Sequence, residues 1–108
     1  MAATPLVAPP ELQGRVLRAV AEPSRLRILD TLREGEQRVV DVVDATGLSQ
    51  PNVSKHLACL HDCGLVARDK RGREVFYATV EGVDELLRAL DTLTDQVGEA
   101  VAACSDGC

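Results

Sequence analysis

The chain has 108 residues, 45% of them apolar but only two aromatic, Phe76 and Tyr77. A core must therefore be built from Leu, Val, Ile and Ala within one small domain, the size class that often completes its core by dimerising. No apolar run approaches the roughly 18 residues of a membrane span. Residues 1–10 lack the basic start and long apolar stretch of a secretory signal. The expectation is a cytoplasmic protein with a flexible tail over 1–10, a folded domain over 11–103 and a cysteine-bearing tail over 104–108. The net charge of −5 argues on its face against nucleic acid. Yet Lys55 to Arg73 holds five basic residues against two acidic ones, while 74–108 holds eight acidic residues and one basic. A basic block inside an acidic chain is a localised footprint for nucleic acid.

In chain order, Glu11 to Ala21 reads as a first helix with Leu12, Val16 and Val20 on one stripe. Pro23 suits the first turn of a second helix, which stops near Gly35. A short third helix spans about Val39 to Ala45, and Thr46-Gly47-Leu48 makes a tight turn. Ser49 is a good N-cap and Pro51 a good first-turn residue for a fourth helix over Gln50 to Asp62, ended by Gly64. Short helix, glycine turn and second helix form the helix-turn-helix pattern. Then the period changes. Leu65 to Asp69 and Glu74 to Thr79 are strand-like, and Lys70-Arg71-Gly72-Arg73 joins them as a hairpin tip. The last element, Val83 to Ala103, repeats Val83, Leu86, Leu87, Leu90, Leu93, Val97 and Val101 at helical steps. The expected fold is mainly α with a β-hairpin wing: a winged helix-turn-helix, homodimeric through its terminal helices.

On a helical wheel, Val53, Leu57, Leu60 and Gly64 of the fourth helix share a narrow sector, which should face the core. Pro51, Ser54, Lys55 and Ala58 point away from it. Small and polar outer residues suit a major groove, with Gln50 at the end of the helix that reaches bases. Ser49, Asn52, Ser54, Lys55 and His56 can bond bases or phosphates, and Arg71 and Arg73 of the wing can reach an adjacent minor groove or backbone.

The stretch Glu22-Pro23-Ser24-Arg25-Leu26-Arg27-Ile28-Leu29, followed by Leu48-Ser49-Gln50-Pro51-Asn52-Val53-Ser54-Lys55-His56-Leu57, resembles the ArsR/SmtB family of metal-responsive repressors. The likeness runs from about residue 11 to 102. It implies a homodimeric winged helix that binds an operator with two half-sites when metal-free. Family sites for the metal differ between branches. One uses a Cys-Val-Cys-Asp-Leu motif on the third helix, where this chain has Arg38-Val39-Val40-Asp41-Val42. Another uses histidine and carboxylates on the last helix, which here has Asp84, Asp91 and Asp95 but no histidine.

What remains is sulfur. Cys59 and Cys63 are four apart, so their Cβ atoms lie roughly 5–6 Å apart on one helix face. Two thiolates so spaced can converge on one ion. Tight binding needs a third, for which Cys104 and Cys108 are the candidates, with the tail folding back onto the other protomer. The stretch Asn52 to Val66 resembles the cadmium- and lead-sensing, CmtR-like branch, whose site matches Cys59, Cys63 and Cys104; Cys108 has no counterpart there. All-sulfur ligation favours soft ions. Cadmium or lead is expected first, then mercury, with trivalent arsenic behind them. The rival readings are a thiol redox switch on the same scaffold, a winged helix that binds protein rather than DNA, and a cysteine enzyme. No oxyanion-hole loop, phosphate cradle or orienting third group supports an enzyme.

Overall fold

The computed structural model describes residues 9–104. Its elements run α1 (Pro10–Ala21), α2 (Pro23–Leu32), β1 (Gln37–Arg38), α3 (Val39–Thr46), α4 (Gln50–Asp62), β2 (Val66–Arg71), β3 (Glu74–Thr79) and α5 (Glu81–Ala103). The expected flexible tail lies, but for its last two residues, outside the described residues, and so does Cys108.

The starts of α2 and α4 have local causes. Pro23 and Pro51 occupy first-turn positions where no amide hydrogen is needed. The Glu22 carboxylate accepts the Arg25 amide at 2.9 Å, and the Ser49 hydroxyl accepts the Asn52 amide at 3.3 Å. Gly47 ends α3 in the left-handed region with φ of 74°, a conformation that costs a side-chain-bearing residue far more than glycine. That residue sets the sharp turn between α3 and α4.

The core is one aliphatic cluster. Ile28, Leu29 and Leu32 of α2 meet Val42 of α3 and Val53, Leu57 and Leu60 of α4. Val20, Val66, Val83 and Leu87 close it from α1, β2 and α5. Tyr77 packs against this cluster from β3. Three features differ from the sequence reading. Gly64 is exposed and follows the helix in a positive-φ turn, so the buried sector of α4 ends at Leu60. Lys70 and Arg71 belong to β2, which leaves a two-residue tip, Gly72-Arg73, with the positive φ at its first position that tight hairpins favour. The third is β1, which had no expected counterpart. It pairs antiparallel with β3, Gln37 opposite Tyr77 and Arg38 opposite Phe76, to give a sheet of order β1-β3-β2. Two residues are too few to carry an alternating pattern.

Arg38 makes β1 a junction. Its guanidinium binds Asp41 through two 3.1 Å bonds and Glu74 at 2.6 Å, and its own amide donates to Asp41 at 3.1 Å. This cluster joins the start of α3 to the wing. The Arg38 side chain, then its amide, hold the Asp41 carboxyl below the usual carboxylate range. Because the native pKa is the lower one, the stabilisation is complete above the ordinary carboxylate range and is lost as pH falls through the lowered value. Asp41→Asn should therefore reduce the thermal midpoint at neutral pH, and the gap from wild type should narrow progressively in acid, as followed by circular dichroism melts.

Candidate nucleic-acid interface and thiol pair

Burial of Val53, Leu57 and Leu60 fixes the rotation of α4, because these three side chains have no exposed surface. Gln50, Pro51, Asn52, Ser54, Lys55 and Ala58 are consequently exposed along its other sides. Lys55 forms no ion pair among the described residues. The residues expected to meet DNA on this helix thus share its solvent side, with two distinctions. Ser49 already spends its hydroxyl as acceptor for the Asn52 amide. His56 is half-buried and turned toward the α1–α2 junction, its Nε2 3.9 Å from Glu22 Oε1, a separation beyond hydrogen-bond range.

The wing separates its two expected contacts. Arg73 lies at the tip, exposed and without an ion pair among the described residues. Arg71 is held back. Its guanidinium binds both Glu36 oxygens, at 2.6 and 2.8 Å, and Asp69 at 2.8 Å, while lying 4.5 Å above the Phe76 ring. The sequence reading assigned no role to Glu36. Its partner lies 35 positions away in the chain, and no local spacing rule reaches that far.

Cys59 and Cys63 are both exposed. Cys63 caps α4, and its amide donates to the Cys59 carbonyl at 3.0 Å, so one helical turn separates the thiols. Cys104 is likewise exposed, at the end of α5. Among the described residues no three His, Cys, Asp or Glu side chains of one chain converge on a common point. The chemistry of the pair still suits a thiophilic ion: two accessible sulfurs at helical spacing. On the third helix, Asp41 is bound to Arg38. On α5, Asp91 is bound to Arg33 at 2.8 Å, which holds its carboxyl below the usual range.

A buried face that aims an exposed polar helix, followed directly by a two-stranded hairpin, defines a winged helix-turn-helix protein. Residues 22–68 match the model of the arsR family of bacterial regulatory proteins. A CmtR transcriptional regulator of Mycobacterium tuberculosis is 42% identical over 84 residues, 78% of this chain and 70% of that protein. A probable mercury resistance operon repressor of Streptomyces lividans is 41% identical over 69 residues, 64% of this chain. The match spans 55% of the Streptomyces protein's length. Among solved structures, the homodimeric winged helix-turn-helix DNA-binding domain of a possible ArsR-family regulator from Mycobacterium bovis superposes with a TM-score of 0.72 at 32% identity, covering 80% of this chain and 81% of that one. The chain belongs to the arsR family of bacterial regulatory proteins.

The N-cap offers a direct check on how α4 is held. Ser49→Ala should cost about 1 kcal/mol of stability in denaturant unfolding, the usual worth of such a cap. Ser49→Asp should restore most of it, since either side chain can accept the Asn52 amide.

Proposed function

We propose that this protein is a cytoplasmic, homodimeric transcriptional repressor that holds operator DNA when metal-free and lets go when Cys59, Cys63 and a tail cysteine take up a soft metal ion. Cadmium and lead are the first candidates and mercury the next. The observation that carries the reading is the mounting of two exposed thiols, one turn apart, on the same helix that offers Gln50, Asn52, Ser54 and Lys55 to solvent. The name of the mercury resistance operon relative supports the choice of a metal effector and a repressor role, and that of the CmtR relative a role in transcriptional regulation.

The DNA contacts we assign to α4 are Ser49, Gln50, Asn52, Ser54, Lys55 and His56, joined by Arg73 from the wing tip. Dimerisation supplies the two-fold repeat that half-site recognition requires. The terminal helices offer a surface for it. Leu12, Val16 and Leu17 of α1 and Leu93, Val97 and Val101 of α5 are all exposed, with Leu93 at 51% and Val101 at 63%. A second copy covering these faces would bury surface that a monomer leaves wet.

A bound thiophilic ion supplies a cross-link between thiolates. Cys59 and Cys63 give up their protons to provide two donors, and Cys104 is the third residue we assign. Cys108 remains a candidate fourth donor. Anchoring the thiol-bearing edge of α4 to the end of α5 couples the attitude of the DNA-reading helix to the dimer. That is the differential interaction an effector needs in order to shift an equilibrium.

Titration with cadmium, followed by sulfur-to-metal charge-transfer absorption, should give one saturable site per protomer. The absorption should collapse in Cys59→Ser and Cys63→Ser and weaken in Cys104→Ser. Saturating cadmium should lower affinity for promoter DNA by about tenfold or more in wild type, within the usual allosteric range, and leave Cys59→Ser/Cys63→Ser bound. Unchanged affinity in the wild type would sink the switch. Release by oxidant that survives a chelator would point to thiol redox chemistry instead. Separately, Leu93→Asp/Val97→Asp should convert the dimer to a monomer in sedimentation velocity; a dimer that persists would place the interface elsewhere.

A further inference from the structure

The wing carries basic residues whose roles the strand pairing distinguishes. In β2 successive side chains alternate between the two sheet faces. Val66 is buried and its face is shared with Tyr77, which packs on the core. This is the side of the sheet that the helices occupy. Arg68 and Lys70 fall on that same face, further along the strand and beyond the core, and both are exposed. Neither forms an ion pair among the described residues.

Asp69 and Arg71 fall on the opposite face. The register puts Asp69 beside Phe76 and Arg71 beside Glu74, and the pairing of Arg38 with Phe76 continues that face onto β1. Two arginines, Arg38 and Arg71, here meet four carboxylates: Asp41, Glu74, Glu36 and Asp69. The face is charge-saturated and net acidic. Exposed ion pairs are usually weak, but a bidentate pair within a network is the exception, and Arg71 adds a ring contact at 4.5 Å. A phosphate seeking Arg71 would have to displace two carboxylates and approach their charges.

Resting on the DNA reading above, we propose that Arg68 and Lys70 are phosphate-contacting residues of the wing, acting with Arg73, and that Glu36 keeps Arg71 out of that contact. Strand parity divides the hairpin into a basic side continuous with α4 and an acidic side turned away from DNA. The basic block read from the sequence includes Arg68 and Lys70 but assigns neither of them a role.

The test uses full-length protein and a short linear DNA duplex, with affinity read by fluorescence anisotropy across a salt series. Arg68→Gln and Lys70→Gln should each weaken binding several-fold and flatten the log–log salt slope by about 0.9 for every phosphate no longer neutralised. The charge-neutral pair Glu36→Gln/Arg71→Gln should leave affinity within about twofold of wild type and the slope unchanged, because the number of counterions released stays the same. Glu36→Gln alone should tighten binding. Thermal melts identify any variant that fails to fold, and since all four side chains are exposed at the surface the two arms do not share that risk. A flattened slope in the Glu36→Gln/Arg71→Gln protein, or unchanged slopes in both Arg68→Gln and Lys70→Gln, overturns the assignment. If Lys55→Gln weakens binding while the wing variants do not, the DNA reading stands and only the wing assignment falls. If wild type does not bind the duplex at low salt, both fall.

Discussion

The exposed side of α4 is aimed by the burial of Val53, Leu57 and Leu60. Three aliphatic side chains on one edge of α4 are sealed against Ile28, Leu29, Leu32 and Val42. A helix so seated has no rotational freedom left, because turning it by one residue, about 100°, would expose those side chains and bury polar ones. The exposed polar residues and the two thiols are therefore held at defined azimuths by the buried face of the helix. Rigid support under an exposed working face is the usual arrangement for a helix that must present the same side chains to every operator.

The same constraint explains why an effector at Cys59 and Cys63 can matter. The thiols stand at the C-terminal end of α4, on the edge that carries Asn52 and His56 nearer its start. A ligand there would load the helix at the end opposite Gln50. Its leverage comes from whatever it ties α4 to, and the terminal helices are the parts of the fold whose apolar faces await a partner. In the proposed switch, thiol chemistry, α4 orientation and dimer geometry form one coupled unit rather than three separate properties.

The helices were legible because their signals are local. Proline in a first turn, serine at an N-cap, glycine after a last turn and a three-to-four-residue apolar step each act over a few positions, and the bounds of α4 came out as its spacing indicates. Two classes of feature escaped. Short elements such as β1 have no periodicity to read and exist because Gln37 and Arg38 find β3. Long-range ion pairs escaped as well: Glu36 with Arg71, Arg38 with Glu74 and Arg33 with Asp91 join residues 35, 36 and 58 positions apart. A tally of basic residues could therefore say how much positive charge the wing holds, but not which of it is already neutralised. The thiol pair was legible in spacing, and only the packing around α4 settled that both sulfurs reach solvent.

The sheet order β1-β3-β2 leaves the outer edge of β2 without a neighbour in the described chain. Bare strand edges are templates for joining further chains. Four consecutive charged residues, Arg68 to Arg71, line this strand. Any second β2 brought alongside would have to set like charges close together or desolvate them. The hairpin can thus stand out from the body as a bare ribbon and still resist sheet-to-sheet polymerisation.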